Sequence, residues 1–194
     1  MTEAEDAKTP RERYRAQVRA EVKKHAWEQI ATAGASALSL NAIAKQMGMS
    51  GPALYRYFAG RDELITELIR DAYRSLADTF RATSEAGADV AALATALREW
   101  ALADPHRYFL VYGTPVPGYH APREITTIAS EIMADLLEAC ATLPADGPTP
   151  LHRALTFWTR LHGVLSLELA GHFDGMGFDP AQFYAAEVDA LLTP

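Results

Sequence analysis

The chain has 194 residues, a length that suits one large domain or two small ones, and its 49% hydrophobic and 22% charged residues exclude a disordered or collagen-like polymer. The single Cys140 excludes an internal disulfide framework, no apolar run approaches the roughly 18–20 residues that span a bilayer, and the opening MTEAEDAKTPRER lacks the apolar segment of a signal peptide, so a cytoplasmic protein with no membrane partner is expected. The net charge of −7 does not exclude nucleic acid, because it averages unlike parts: −3 over residues 1–7, +7 over residues 8–61 and −11 over residues 62–194.

Helical spacing dominates from one end to the other, and no stretch alternates as a half-buried strand would. Val18, Val22, Ala26 and Ile30 recur every fourth residue and predict a first helix over Tyr14–Ala33, stopped by Gly34. A short second helix is expected after Ser39, a good N-cap, with Leu40, Ile43, Ala44 and Met47 turned inward and Gly48 at its end. Ser50 caps a third, carrying Pro52 in its first turn and ending near Phe58 before Ala59-Gly60. Further helices are predicted over about 61–82, Asp89–Leu102, Pro105–Tyr112, Pro122–Leu143, Leu151–Phe173 and Pro180–Leu192, with a loop at Gly113–Ala121. The expectation is an all-α chain of about nine helices. Residues 14–61 are expected to form a small basic three-helix bundle, and residues 62–194 a larger acidic helical body.

The segment Ser39–Phe58 (SLNAIAKQMGMSGPALYRYF) places two short helices around a tight Gly48-Met49-Ser50 turn, the brevity a helix-turn-helix needs. A major groove about 12 Å wide admits one helix, and small Gly51, Pro52 and Ala53 allow close approach at that helix's N-terminal end. Its free amides, following the Ser50 N-cap, also suit a phosphate. From about Val18 to Leu68 the sequence strongly resembles the tetracycline-repressor (TetR) family of transcription regulators. The resemblance rests on Ile43-Ala44, Gly48-Met49-Ser50, Pro52-Ala53-Leu54-Tyr55-Arg56-Tyr57-Phe58, Arg61 and Glu63-Leu64. It implies that Ser39, Tyr55, Tyr57 and Arg61 grip phosphates, while Gly51, Pro52, Ala53 and Arg56 lie nearest the base edges. Arg56 alone in the recognition helix has the fork that reads guanine bidentately. Arg11, Arg13, Arg15, Arg19 and Lys23 precede the motif, and for Arg11 and Arg13 a solvated tail is expected over an arm along the duplex.

The acidic body carries a helix apolar around much of its circumference. Leu155, Trp158, His162, Leu165, Leu169 and His172 form one stripe, and Phe157, Leu161, Val164, Glu168 and Gly171 form another. Such a helix calls for burial on two sides. It is expected to pair with its copy, together with Pro180–Leu192, in a homodimer interface that uses Leu161, Val164, Glu168 and Gly171. The W-x-x-x-H-G of Trp158, His162 and Gly163 resembles the TetR subgroup with a WHG-type C-terminal domain. A small-molecule effector is expected between the central helices, with Trp100, Tyr108, Phe109, Tyr112, Trp158, His162 and Leu165 as candidate lining.

Glu168 and His172 are four apart, but no third ligand has suitable spacing, so no metal or other cofactor is expected. No Ser/His/Asp order, phosphate-cradling Gly-rich loop, HExxH or CxxC is present, so no enzyme is expected. The leading reading is a regulator, a repressor released from a palindromic double-stranded operator by a largely apolar effector. The alternatives are a dimeric small-molecule-binding protein without DNA function and an enzyme of unrecognised type.

Overall fold

The computed structural model describes residues 9–87, 89–144 and 147–192. The acidic start at residues 1–7 and residues 145–146, after the expected Pro122–Leu143 helix, lie outside them. Among the described residues there are nine α-helices, one 3-10 turn and no strand. The chain divides into two compact units, Met1–Leu68 with Pro115–His120, and Ile69–Thr114 with Ala121–Pro194.

In the first unit, α1 spans Pro10–Ala33. It begins four residues before the expected Tyr14, because Thr9 and Glu12 make a capping box around Pro10. Arg11 and Arg13 are therefore helical, not part of a tail. Val18, Val22, Ala26 and Ile30 are buried as their spacing predicts. A 3-10 turn at Ala35–Ala37 leads to α2, Leu40–Gln46, whose N-terminus is closed by the Ser39 hydroxyl accepting from the Ala42 amide at 3.4 Å. Gly48, at φ 66°, makes the turn that an L side chain would strain. The third helix, α3, is only Gly51–Leu54, and Tyr55–Tyr57 continue as tight turns. Leu54 and Phe58 are both fully buried, as are Ile43, Leu64, Ile65 and Leu68. Each such side chain contributes roughly 1.5–3 kcal/mol by leaving water.

Helix α4, Arg61–Glu85, runs through the boundary of the two units. The second unit continues with α5 (Val90–Ala103), α6 (Pro105–Tyr112), α7 (Arg123–Ala141), α8 (Pro150–Leu169) and α9 (Pro180–Leu192). Asp89, Asp104 and Thr149 cap three of these through their side chains, as short polar residues before a helix do. Leu76, Phe80, Leu93, Leu97, Tyr108, Leu136, Phe157, Leu161 and Leu165 belong to one buried cluster. Arg98 on α5 forks onto Glu168 on α8, with the Tyr184 ring of α9 5.2 Å from its guanidinium. The Tyr184 hydroxyl donates to the Ala94 carbonyl at 2.8 Å, so the same contact joins three helices. Helix α8 stops at Leu169, four residues before the expected Phe173, because Ala170–Gly175 form turns with Gly171 at φ 75°.

Candidate nucleic-acid interface and effector site

The first unit presents one polar turn built on a rigid base. Leu54 and Phe58, four apart, anchor the segment in the core, so the residues between them turn outward. Tyr55 is 46% exposed, Arg56 is exposed and Tyr57 is half-buried. Pro52 is exposed, while Gly51 and Ala53 are half-buried. A Cβ on Gly51 would meet Asn41 Oδ1 at 3.3 Å, so this glycine lets α2 and α3 approach closely.

Behind the turn stands Arg19, one of the basic residues that precede the motif. Its guanidinium lies 4.1 Å from the Phe58 ring centroid and donates to the Tyr57 carbonyl. It also pairs with Glu63 at 3.5 Å and Glu67 at 3.4 Å. Arg15 sits 5.7 Å from the Tyr57 ring. Arg61 donates to the Ala35 carbonyl at 3.0 Å and the Ser36 carbonyl at 3.3 Å, and so ties the 3-10 turn to the start of α4. Ser39 is occupied in capping α2, whereas the Ser50 side chain makes no capping bond.

Of the candidate effector residues, Tyr108, Tyr112, Trp158 and His162 form a contiguous aromatic cluster in the second unit. Ring centroids of Tyr112 and His162 are 4.3 Å apart, and those of Trp158 and His162 are 4.4 Å apart. Trp100 joins through Tyr112 at 6.5 Å and Phe109 through Tyr108 at 5.5 Å. Leu165 is fully buried and packs in the same core. The Tyr108 hydroxyl lies 3.1 Å from His162 Nδ1, 3.2 Å from the His162 carbonyl and 2.9 Å from Ser166 Oγ. Burial pushes the His162 imidazole down to about 4, so it is neutral at pH 7. Burial also raises the Tyr112 phenol well above its ordinary range. His162 Nε2 and Tyr112 Oη are buried without a hydrogen-bond partner among the described residues.

Sequence reasoning missed Tyr73, Ser75, Arg107 and Ser166 here. Ser166 follows His162 by four on one helix, a spacing that does signal a shared face. Ser75 accepts from Trp100 Nε1 at 3.2 Å, and Tyr73 stands edge-on to Tyr112 at 5.9 Å. A separate surface groove, lined by Leu143, His152, Arg153, Thr156, Arg160 and Leu191 among others, borders none of these aromatic residues.

The expected dimer residues are not brought together on a free face. Leu161 and Val164 are buried in the chain's own core, and Glu168 is held by Arg98. Only Gly171 is exposed. The outward side of α8 instead carries Leu155 (49% exposed), Thr159, Gly163 and Leu167 (45% exposed). Two apolar stripes on one helix do not by themselves say which faces in, and here Leu161 and Val164 face the chain's own core. His172 lies beyond the end of α8, so the Glu168–His172 spacing is not a helical pair. Among the described residues no three His, Cys, Asp or Glu side chains gather as a metal site would require. No described helix is long and apolar enough to cross a membrane.

A capped helix-turn-helix with an exposed polar turn, joined through a long helix to a separate helical body, defines a helix-turn-helix regulator. Residues 24–68 match the family model described as bacterial regulatory proteins, tetR family. Residues 90–191 match the one described as tetracyclin repressor-like, C-terminal domain, which includes Trp158, His162 and Gly163. The chain belongs to the TetR family of DNA-binding transcriptional regulators.

It is 34% identical to the HTH-type transcriptional regulator Rv1816 of Mycobacterium tuberculosis (strain ATCC 25618 / H37Rv), over 92% of each chain. Among solved structures it is 68% identical to the regulatory protein SCO4313, covering 96% of this chain and all of that one, with a TM-score of 0.89. A TetR/AcrR-family regulator from Thermobifida fusca YX-ER1, at 20% identity and a TM-score of 0.68 over 91% of this chain and 97% of that one, shares the fold.

Proposed function

We propose that the protein is a homodimeric repressor acting in the cytoplasm, with no catalytic role, which leaves a palindromic operator when a small molecule binds its helical body. The observation that carries this reading is the Tyr55–Tyr57 turn, exposed at Tyr55 and Arg56 yet fixed from behind by Leu54, Phe58 and Arg19. A pinned turn holds its side chains in one register on a groove, as sequence reading requires. Tyr55 and Tyr57 contact phosphates, Arg56 reads a base edge, and Gly51, Pro52 and Ala53 allow the helix end to enter. Arg61 contributes charge beside the duplex while it supports the 3-10 turn.

One such unit reads too few base pairs, so two are set on half-sites about 34–36 Å apart. The dimer forms through the outward side of α8, with Leu155, Thr159, Gly163 and Leu167, together with α9. The effector occupies the aromatic cluster around Tyr112, Trp158 and His162. Effector and operator favour different conformations, so each weakens the other by the same factor.

The test is to pass a digest of the source genome over the immobilised full chain. Retention of a small set of fragments sharing a palindrome, lost with Arg56→Ala plus Tyr57→Ala, is expected. Retention of no fragment in preference to bulk DNA would overturn the operator reading.

A further inference from the structure

We infer that the effector is a carboxylate-bearing apolar molecule, its anionic head held by Arg107 and its body laid against Trp100, Tyr112 and Trp158. This rests on the reading of the aromatic cluster as the effector site. Arg107 lies in the first turn of α6 and is half-buried, with its guanidinium 4.4 Å from the Trp100 ring centroid. It donates to the Trp100 carbonyl at 2.8 Å and to Ser75 Oγ at 3.4 Å, while its Nε is buried with no partner. All its acceptors are neutral.

Asp104 acts on it only at longer range, and Asp104 Oδ1 is engaged by the Arg107 backbone amide at 3.0 Å. Burial lowers the guanidinium's affinity for its proton, the sign of a cation drawn from water without full compensation. The location adds to the cost, since the N-terminal turn of a helix favours anions and disfavours cations. The Trp100 carbonyl in the last turn of α5 and the Trp100 ring hold the arginine in place, but neither satisfies its Nε–H nor neutralises its charge. A carboxylate does both: it neutralises the charge and supplies oxygens for Nε–H and a remaining terminal N–H in the side-by-side geometry arginine forms best.

The rest of the cluster fits the remainder of such a molecule. Trp100 links Arg107 to Tyr112, and Tyr112 touches Tyr73, Trp158 and His162, so apolar ring surface extends from the cation. Tyr73, Tyr112, Trp158 and His162 are not fully buried, so the cluster reaches the edge of the core. Tyr112 Oη and His162 Nε2, both lacking partners, offer positions for one further polar group on the body. Neutral imidazole and neutral phenol do not repel the head group, and Arg107 is the cation among these contacts.

The experiment is calorimetric titration of the full chain with 3-phenylpropionate and octanoate, each beside its primary amide, which keeps the body and removes the charge. Both acids are expected to bind at least about tenfold more tightly than their amides. Arg107→Gln is expected to abolish the preference for acid over amide, and Arg107→Lys to retain part of it. Because Arg107→Gln also removes the bonds to Trp100 and Ser75, the wild-type comparison of acid with amide decides the matter if that variant fails to fold. Equal binding of acids and amides overturns the anionic head and leaves the aromatic site standing. Binding of none of the four overturns the aromatic cluster as the effector site, and the inference with it.

Discussion

Arg19→Ala tests how the exposed Tyr55–Tyr57 turn is held. The side chain is 22% exposed, so its interactions are partly shielded. Three contributions are lost together. A charged donor to the Tyr57 carbonyl is worth about 1.5–3 kcal/mol, and a cation over the Phe58 ring about 0.5–1 kcal/mol. The ion pairs to Glu63 and Glu67 are partly exposed and add about 0.2–1 kcal/mol each. One guanidinium makes all of them, so they do not add in full, and a loss of about 2–3 kcal/mol is expected.

Urea denaturation of the full chain, followed by helical circular dichroism, reads this as a lowered midpoint. Operator affinity falls as well, because Tyr55–Tyr57 lose their support. Arg19→Lys keeps the charge but loses the flat stack and the fork, and falls between. A change below about 0.5 kcal/mol in Arg19→Ala, within the range of ordinary surface substitutions, would refute the clamp.

Other outcomes follow from burial and charge. Leu161→Ala removes a fully buried side chain from the second unit's core and costs about 2–5 kcal/mol in denaturant titration without favouring monomers at native concentrations. At Gly163 a Cβ would meet nothing within 4 Å in the single chain, so Gly163→Leu should fold yet shift sedimentation towards monomer; an unchanged dimer would remove α8's outward side from the interface. His162 is held neutral, with its folded value at about 4 against 6.5 for a free imidazole, so the unfolded chain takes up its proton first. Stability should therefore fall as pH drops from about 6.5 towards 4, by about 3 kcal/mol in all, and His162→Gln should lose that share of the acid sensitivity.

Much of the fold could be read from spacing, because burial and periodicity coincide on most helices. The four-residue rhythm of Val18 to Ile30 located the core face of α1, and Asp104-Pro105 and Gly113 bracketed α6 at its observed ends. What escaped was decided by chemistry that periodicity does not weigh. Thr9-Pro10 with Glu12 starts α1 inside a charged run that has no apolar rhythm, and Gly171 ends α8 within an apolar one.

The exposed residues of the turn, Tyr55 and Arg56, could be read from the sequence because Leu54 and Phe58 declare which side faces in. The aromatic cluster of the second unit was only half visible. Tyr108, Tyr112, Trp158 and His162 stand out as aromatics, whereas Arg107 and Ser75 owe their importance to side chains meeting across three helices. The inward side of α8 was hidden for a related reason: Leu161 and Leu155 look alike in a sequence, and only packing separates the buried one from the exposed one.

The central claim, that the turn at Tyr55–Tyr57 reads an operator, is tested most directly by equilibrium binding of the wild type and Arg56→Ala to a retained palindromic fragment across a salt series. A steep linear fall of log affinity with log salt is expected for the wild type, with a further loss of about 1–3 kcal/mol in Arg56→Ala and relaxed preference at one base pair per half-site. Affinity that is independent of salt and unchanged by Arg56→Ala would contradict it.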